Sequence, residues 1–166
     1  PVKILIAFPV GGLLDTVSRI VGEKMTSLMG QQFIIEARPG AGGSIATGAL
    51  AKAEPDGYTI MMVNDNHALN PSTMKSLPYD SKNDFKMIGF VGYTPLVFVA
   101  HPSMPFKDVK GLVDYAKTQP LNFGSVGPGS ASHLAGEMLN ASAGIKIQHI
   151  PYRGGAPAMV DLLAGH

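Results

Sequence analysis

The chain contains no cysteine, which excludes disulfides, thiolate catalysis and cysteine-ligated metal together and suits a reducing or an oxidising compartment equally. Charge is scarce. Asp, Glu, Lys and Arg make up 15% of the 166 residues, where about 25% is usual in a soluble domain. The net charge of +1 arises from acids and bases intermixed along the sequence, so the electrostatic footprint of a nucleic-acid or anionic-membrane binder is missing. Long apolar runs are missing too. The longest, "ILIAFPV" and "PLVFVA", fall far short of the ~20 residues of a membrane-spanning helix, and direct membrane insertion is not expected. No basic segment, apolar stretch and cleavage site precede "PVKILIAF"; an export signal has either been removed ahead of these residues or never preceded them, and localisation is not legible there.

Several chemical signatures are absent as well. Neither "GPGSAS" nor "GAGGSI" completes G-x-G-x-x-G, no G-x-x-x-x-G-K-[ST] occurs, and no acidic residue ends the strand "KIQHI" where a ribose would need one. The hydrolase elbow G-x-S-x-G is missing, its nearest string being "GGSIA" around Ser44. His67, His101, His133, His149 and His166 are scattered without i,i+4 or H-x-H spacing, so no metal is expected and each reads as a capping or surface residue.

What is present is an apolar α/β pattern. With 45% hydrophobic residues, a chain this long buries roughly 70% of its unfolded surface, enough for one domain or two small lobes. Short β-rich runs alternate with amphipathic segments, as in folds with a mostly parallel sheet. Strands are expected at Val2–Phe8, Phe33–Glu36, Tyr58–Val63, "KMIGFVG", "PLVFVAH", "LNFGSV" and "KIQHI". Helices are expected from Leu13 to a stop at Gly30, then at Ile45–Ala53, Val109–Thr118, Ser132–Ala143 and Ala156–Ala164. The polar stretch "NDNHALNPSTMKSLPYDSKNDF" has no apolar periodicity and reads as a loop with room for a short helical turn. A lobe boundary falls near Val99–Pro102, where "HPSMPFKD" resembles a linker.

Each half carries a strand followed by a glycine-rich turn at a helix start, "IAFPVGGLLD" and "NFGSVGPGSASHLAGE". Helix N-termini have unpaired N–H groups and a partial positive charge, so such turns accept anions. Ser130 and Ser132 would add hydroxyls and His133 a ring N–H. The plainer reading is a tight turn at Gly127–Gly129 with Ser130 or Ser132 as helix cap. Ser132 and His133 are neighbours about 100° apart on a helix and cannot pair unaided as nucleophile and base. Asp15 reads either as a helix stabiliser or as an orienting acceptor, and Arg153 in "PYRGG" as a ligand carboxylate partner or a solvent-facing cation. Met25, Met29, Met61, Met62 and Met159 read as core filler.

The strings "FPVGGLLDTVSRIVGEKM", "EARPGAGGSIATGALAKAEPDGYTIMM", "HALNPS", "LPYDSKNDF", "PLVFVAHPS", "NFGSVGPGSASHLAGEML" and "IPYRGGAPAMVDLLAGH" together resemble the periplasmic substrate-binding proteins of tripartite tricarboxylate transporters, the Bug or TctC-like family. The resemblance covers essentially the whole chain. It implies an α/β fold of the type II periplasmic-binding-protein (Venus flytrap) kind, two-lobed and here incomplete. Residues 1–99 would be the N-terminal part of the first lobe, and residues 100–166 a second lobe lacking its C-terminal part. Family chains are longer, so this one is expected to be an N-terminal portion with apolar edges left uncovered.

The same resemblance implies a periplasmic binder of a small organic carboxylate, with no enzymatic activity and no cofactor, that delivers its ligand to the membrane components of a transporter. Its ligand residues would be Pro9, Gly11, Gly12, Leu13 and Asp15 from the first loop, and Asn64, His67 and Ala68 after the third strand. The second loop would supply Gly127, Gly129, Ser130, Ala131, Ser132 and His133, and Arg153 joins them as a candidate. The family's first loop commonly has a second proline and a proline-threonine pair before the aspartate. Val10 and "LLD" stand there in this chain, so no side-chain contact is expected from residue 14. The competing reading is an α/β enzyme acting on a small acyl or phosphorylated substrate, with Ser130 or Ser132 as nucleophile.

Overall fold

A computed structural model describes residues 1–166, which divide into two compact units, Pro1–Ile88 and Gly89–His166.

The first unit is organised by its most apolar run. β1 (Val2–Ile6) takes the centre of a three-stranded sheet between β2 (Phe33–Ala37) and β3 (Thr59–Met62), in the order β2-β1-β3. Both pairings are parallel, with Ile4 opposite Ile35 and Ile60. A parallel strand is covered on both faces, which is why "ILI" does not alternate with polar residues. Ile4 and Ile6 retain 2% and 0% of their accessible surface, and each such burial stabilises the fold by about 1.5–3 kcal/mol. α1 (Leu13–Met29) crosses from β1 to β2 and stops at Gly30, whose φ of 64° suits glycine. At Gly22 the helix lies close over the sheet: a Cβ there would stand 3.4 Å from the Ile4 Cδ1 methyl. A 3-10 turn (Ala41–Gly43) runs into α2 (Ser44–Ala51), and β3 is followed by α3 (Asn66–Thr73).

α3 extends the short helical turn allowed in the loop reading of residues 64–85 to a full helix. The helix has eight residues and no apolar stripe to announce it. It is held instead by polar anchors: the buried Asn70 amide donates to the Gly42 carbonyl at 3.1 Å and the Tyr79 hydroxyl at 3.3 Å.

The second unit contains α4 (Val109–Ala116), β4 (Asn122–Ser125), α5 (Ala131–Ala143), β5 (Gln148–Pro151) and α6 (Gly155–Ala164). β4 and β5 form a two-stranded parallel sheet. Asp108 caps α4 by accepting the Gly111 N–H at 2.7 Å. The strands expected in "KMIGFVG" and "PLVFVAH" do not form. A strand exists through its partner's hydrogen bonds, and both sheets are built without these residues. Phe90 and Tyr93 consequently keep 82% and 88% of their surface, and Leu96, Val97, Phe98 and Val99 are exposed as well.

Candidate functional site: two glycine turns at helix starts

In the first unit, β1 ends at Ile6 and the chain turns through Pro9–Gly12 into α1. Gly11 adopts φ 87°, and a Cβ there would meet nothing within 4 Å, so the turn has an open face. Gly12 occupies the cap position with no side-chain cap. The amides of Leu13, Leu14 and Asp15, in the first helical turn, therefore lack intrahelical acceptors. Asp15 is buried and accepts the Gly11 N–H at 2.9 Å, while its other oxygen meets the Arg19 guanidinium at 2.9 Å. These bonds, Arg19 first and Gly11 second, hold its carboxyl below the usual carboxylate range. Asp15 thus folds its own loop back onto α1. Leu13 is exposed and Leu14 buried, so the side chain of Leu14 faces the core while its amide sits in the first turn.

The second unit repeats the arrangement between β4 and α5, and here nearly every loop group has an internal partner. Ser130 is the N-cap: its hydroxyl accepts the His133 N–H at 3.2 Å and donates to the Gly127 carbonyl at 2.6 Å. Ser132 Oγ accepts the Val126 N–H at 3.2 Å. The Gly127 N–H goes to Ser125 Oγ at 3.1 Å, and the Gly129 N–H to His133 Nδ1 at 3.0 Å. Gly127 and Gly129, at φ 129° and 75°, supply the backbone path that only glycine follows easily. The amides left without an intrahelical acceptor are those of Ala131 and Ser132, the first two residues of α5. Glycine shapes this turn; the helix start carries its open donors.

Two residues at this turn were not among the site residues expected from the sequence. His149, on β5, places Nε2 2.6 Å from the Ser125 hydroxyl, and its ring stacks on His133 with centroids 3.9 Å apart. Ser125 is buried on β4. The histidines, expected to stand apart as surface or capping residues, include one contacting pair. No spacing rule finds it, because His133 and His149 lie on a helix and a strand. They do not form a metal cluster with other ligands.

The remaining candidates are spread out. Asn64 and His67 line a cleft of about 10 Å³ with Gly42, Gly43, Asn66 and Asn70, about the size of one water. His67 Nε2 lies 3.2 Å from the Ser81 carbonyl oxygen, and Ala68 is exposed on α3. A larger groove of about 400 Å³ lies between α1 and β2, lined by Arg19, Glu23, Gln32 and Phe33 among others, and includes neither glycine turn. Pro9 is half-buried and Arg153 is exposed in the turn between β5 and α6.

Parallel strands whose carboxyl ends pass through glycine turns into helix starts make an α/β arrangement of the kind that holds ligands at those ends. The chain belongs to the tripartite tricarboxylate transporter receptor family, TctC, whose profile matches residues 17–166. BugT of Bordetella pertussis is 35% identical over 169 residues, covering 99% of this chain and 52% of BugT. The structure of the periplasmic binding protein BugD superposes with a TM-score of 0.86 at 35% identity, over 99% of this chain and 56% of BugD. An R. palustris protein with adipate gives 0.84 at 30%, over 99% and 56%. MatC of Rhodopseudomonas palustris with bound malate gives 0.82 at 28%, over 99% and 57%. The chain spans about half the length of the curated relatives it matches most extensively.

Proposed function

We propose that this chain is the carboxylate-capturing part of an extracytoplasmic solute-binding protein, serving the membrane components of a tripartite tricarboxylate-type transporter in the periplasm. The observation that carries the reading is the open first-turn amides at two glycine turns, Leu13–Asp15 and Ala131–Ser132. Such amides favour an anion without reading what is attached to it. Malate and adipate, the ligands of two structural neighbours, are both dicarboxylates. The lobes assigned to it are residues 1–99 and 100–166. Asn64, His67 and Ala68, after β3, are assigned to ligand selectivity, and Arg153 to a ligand carboxylate.

The protein returns its ligand unchanged. Ser130 has its hydroxyl committed to the Gly127 carbonyl, and His133 Nδ1 is occupied by the Gly129 N–H, so neither Ser130 nor Ser132 has an activating base. A thermal-shift panel of di- and tricarboxylates tests the reading, run on this chain and on the protein at the length of its relatives. Stabilisation by at least one carboxylate and not by its amide is expected. No shift from any acid at either length contradicts it.

A further inference from the structure

The glycine-serine turn of the second unit leans on residues outside it. Ser125 Oγ receives the Gly127 N–H and contacts His149 Nε2, while His133 Nδ1 receives the Gly129 N–H. The two imidazoles are in ring contact. We propose that Ser125 and the His133–His149 stack are positioning residues for this turn, setting the path of Gly127–Gly129 through the places of their ring protons. The proposal rests on the carboxylate reading for its functional meaning, and on these contacts alone for its geometry.

The chemistry follows from the hydrogen-bond inventory. A ring nitrogen that accepts an N–H carries no proton, so His133 holds its proton on Nε2, which lies 3.9 Å from Glu137 Oε1. A second proton on His133 leaves the Gly129 N–H without its acceptor. Where the neutral His149 ring carries its proton on Nδ1, its bare Nε2 accepts from the Ser125 hydroxyl. In the imidazolium, Nε2 must donate to Ser125 Oγ, and the hydroxyl proton turns to the Gly127 carbonyl, 3.2 Å away. That carbonyl already accepts from Ser130. One proton on either ring therefore rewrites the bonds of one glycine.

The charged surroundings oppose that proton on balance. Toward His149, α5 presents His133 and Glu137, while β4 presents the uncharged Phe123 ring and Ser125. The Asp161 carboxylate of α6 is taken by the Tyr152 hydroxyl at 2.8 Å, and Arg153 is exposed beyond β5. Burial first, and His133 second, push the His149 ring below its ordinary value, with Glu137 pulling the other way. In folding terms the unfolded chain takes this proton first. Stability is full above the unfolded imidazole's value and falls as pH drops from there through the lowered one.

The test is an amide and imidazole NMR titration of the ligand-free protein between about pH 5 and 8. The Gly127 and Gly129 amide resonances are expected to move, Gly127 with the midpoint of the His149 ring. In His149→Gln, whose side-chain amide reaches the Nε2 position without titrating, Gly127 is expected to stop moving with pH. Ser125→Ala is expected to shift Gly127 and remove its pH dependence. Static glycine amides while the rings titrate would overturn the proposal in the unmodified protein, whether or not the variants fold. So would an unchanged Gly127 profile in His149→Gln. The carboxylate panel separates the two readings: titrating glycines with no stabilisation by any acid of the panel at either length removes the carboxylate reading and leaves this one standing.

Discussion

Replacing Ser130 separates the turn's stability from its affinity for anions. In Ser130→Ala the helix loses the cap accepting the His133 N–H, which costs about 1 kcal/mol. It also loses the 2.6 Å bond to the Gly127 carbonyl, a buried pairing that contributes about another 1 kcal/mol. The sum of about 2 kcal/mol lowers a urea midpoint by roughly 1 M at an m-value of about 2 kcal/mol/M. Ser130→Asp keeps the cap acceptor, but its carboxylate cannot donate to Gly127, so about half of the loss is expected. On affinity the order inverts. A carboxylate about 4 Å from a ligand's carboxylate near a protein surface costs ~4 kcal/mol, roughly a thousandfold in Kd, whereas Ser130→Ala removes no charge and leaves the Ala131 and Ser132 amides in place. Urea denaturation followed by circular dichroism gives the first order, and calorimetry with a carboxylate that stabilises the unmodified protein gives the second. Binding by Ser130→Asp as tight as by the unmodified protein, or an unchanged midpoint in Ser130→Ala, would refute the corresponding order.

Asp15→Asn should flatten the acid limb of stability. Because the Asp15 carboxyl is held low by Arg19 and Gly11, its contribution is present above the unfolded carboxylate value of about 4 and lost as pH falls through the lower folded one; urea midpoints recorded across that range check it. Asn70→Ala strands the Gly42 carbonyl and the Tyr79 hydroxyl, and should destabilise by about 1–3 kcal/mol in the same assay. The exposed strip including Phe90, Tyr93 and Val97 should bind an apolar dye and promote self-association of this chain, and Phe90→Ser with Val97→Ser should reduce both; a dye-silent monomer at high concentration would contradict this.

The sequence was most readable where one physical signal dominated. The run "ILI" announced the central parallel strand, and the three- and four-residue apolar steps together with Gly30 announced α1 and its stop. Both glycine turns were visible because Gly11, Gly127 and Gly129 mark backbone that other residues avoid. α3 was hidden because its anchors, Asn70 to Gly42 and Tyr79, are contacts to residues 28 and 9 positions away with no local pattern. Residues 86–101 misled for the opposite reason. Their β propensity is strong, yet a strand requires a partner as well as a preference, and neither sheet pairs with them. Glycine positions marked the two turns but not which of their amides are free. The Gly11, Gly127 and Gly129 amides are taken by Asp15, Ser125 and His133, and the amides without intrahelical acceptors are those of the first helical residues.

Anion capture by the first-turn amides is the central proposal, and amide chemical-shift mapping with a carboxylate from the thermal-shift panel against its neutral amide tests it most directly. At least one such acid, and not its amide, is expected to move the resonances of Leu13 and Leu14, or those of Ala131 and Ser132. Equal responses to acid and amide, or acid-induced shifts confined to other residues, would contradict it.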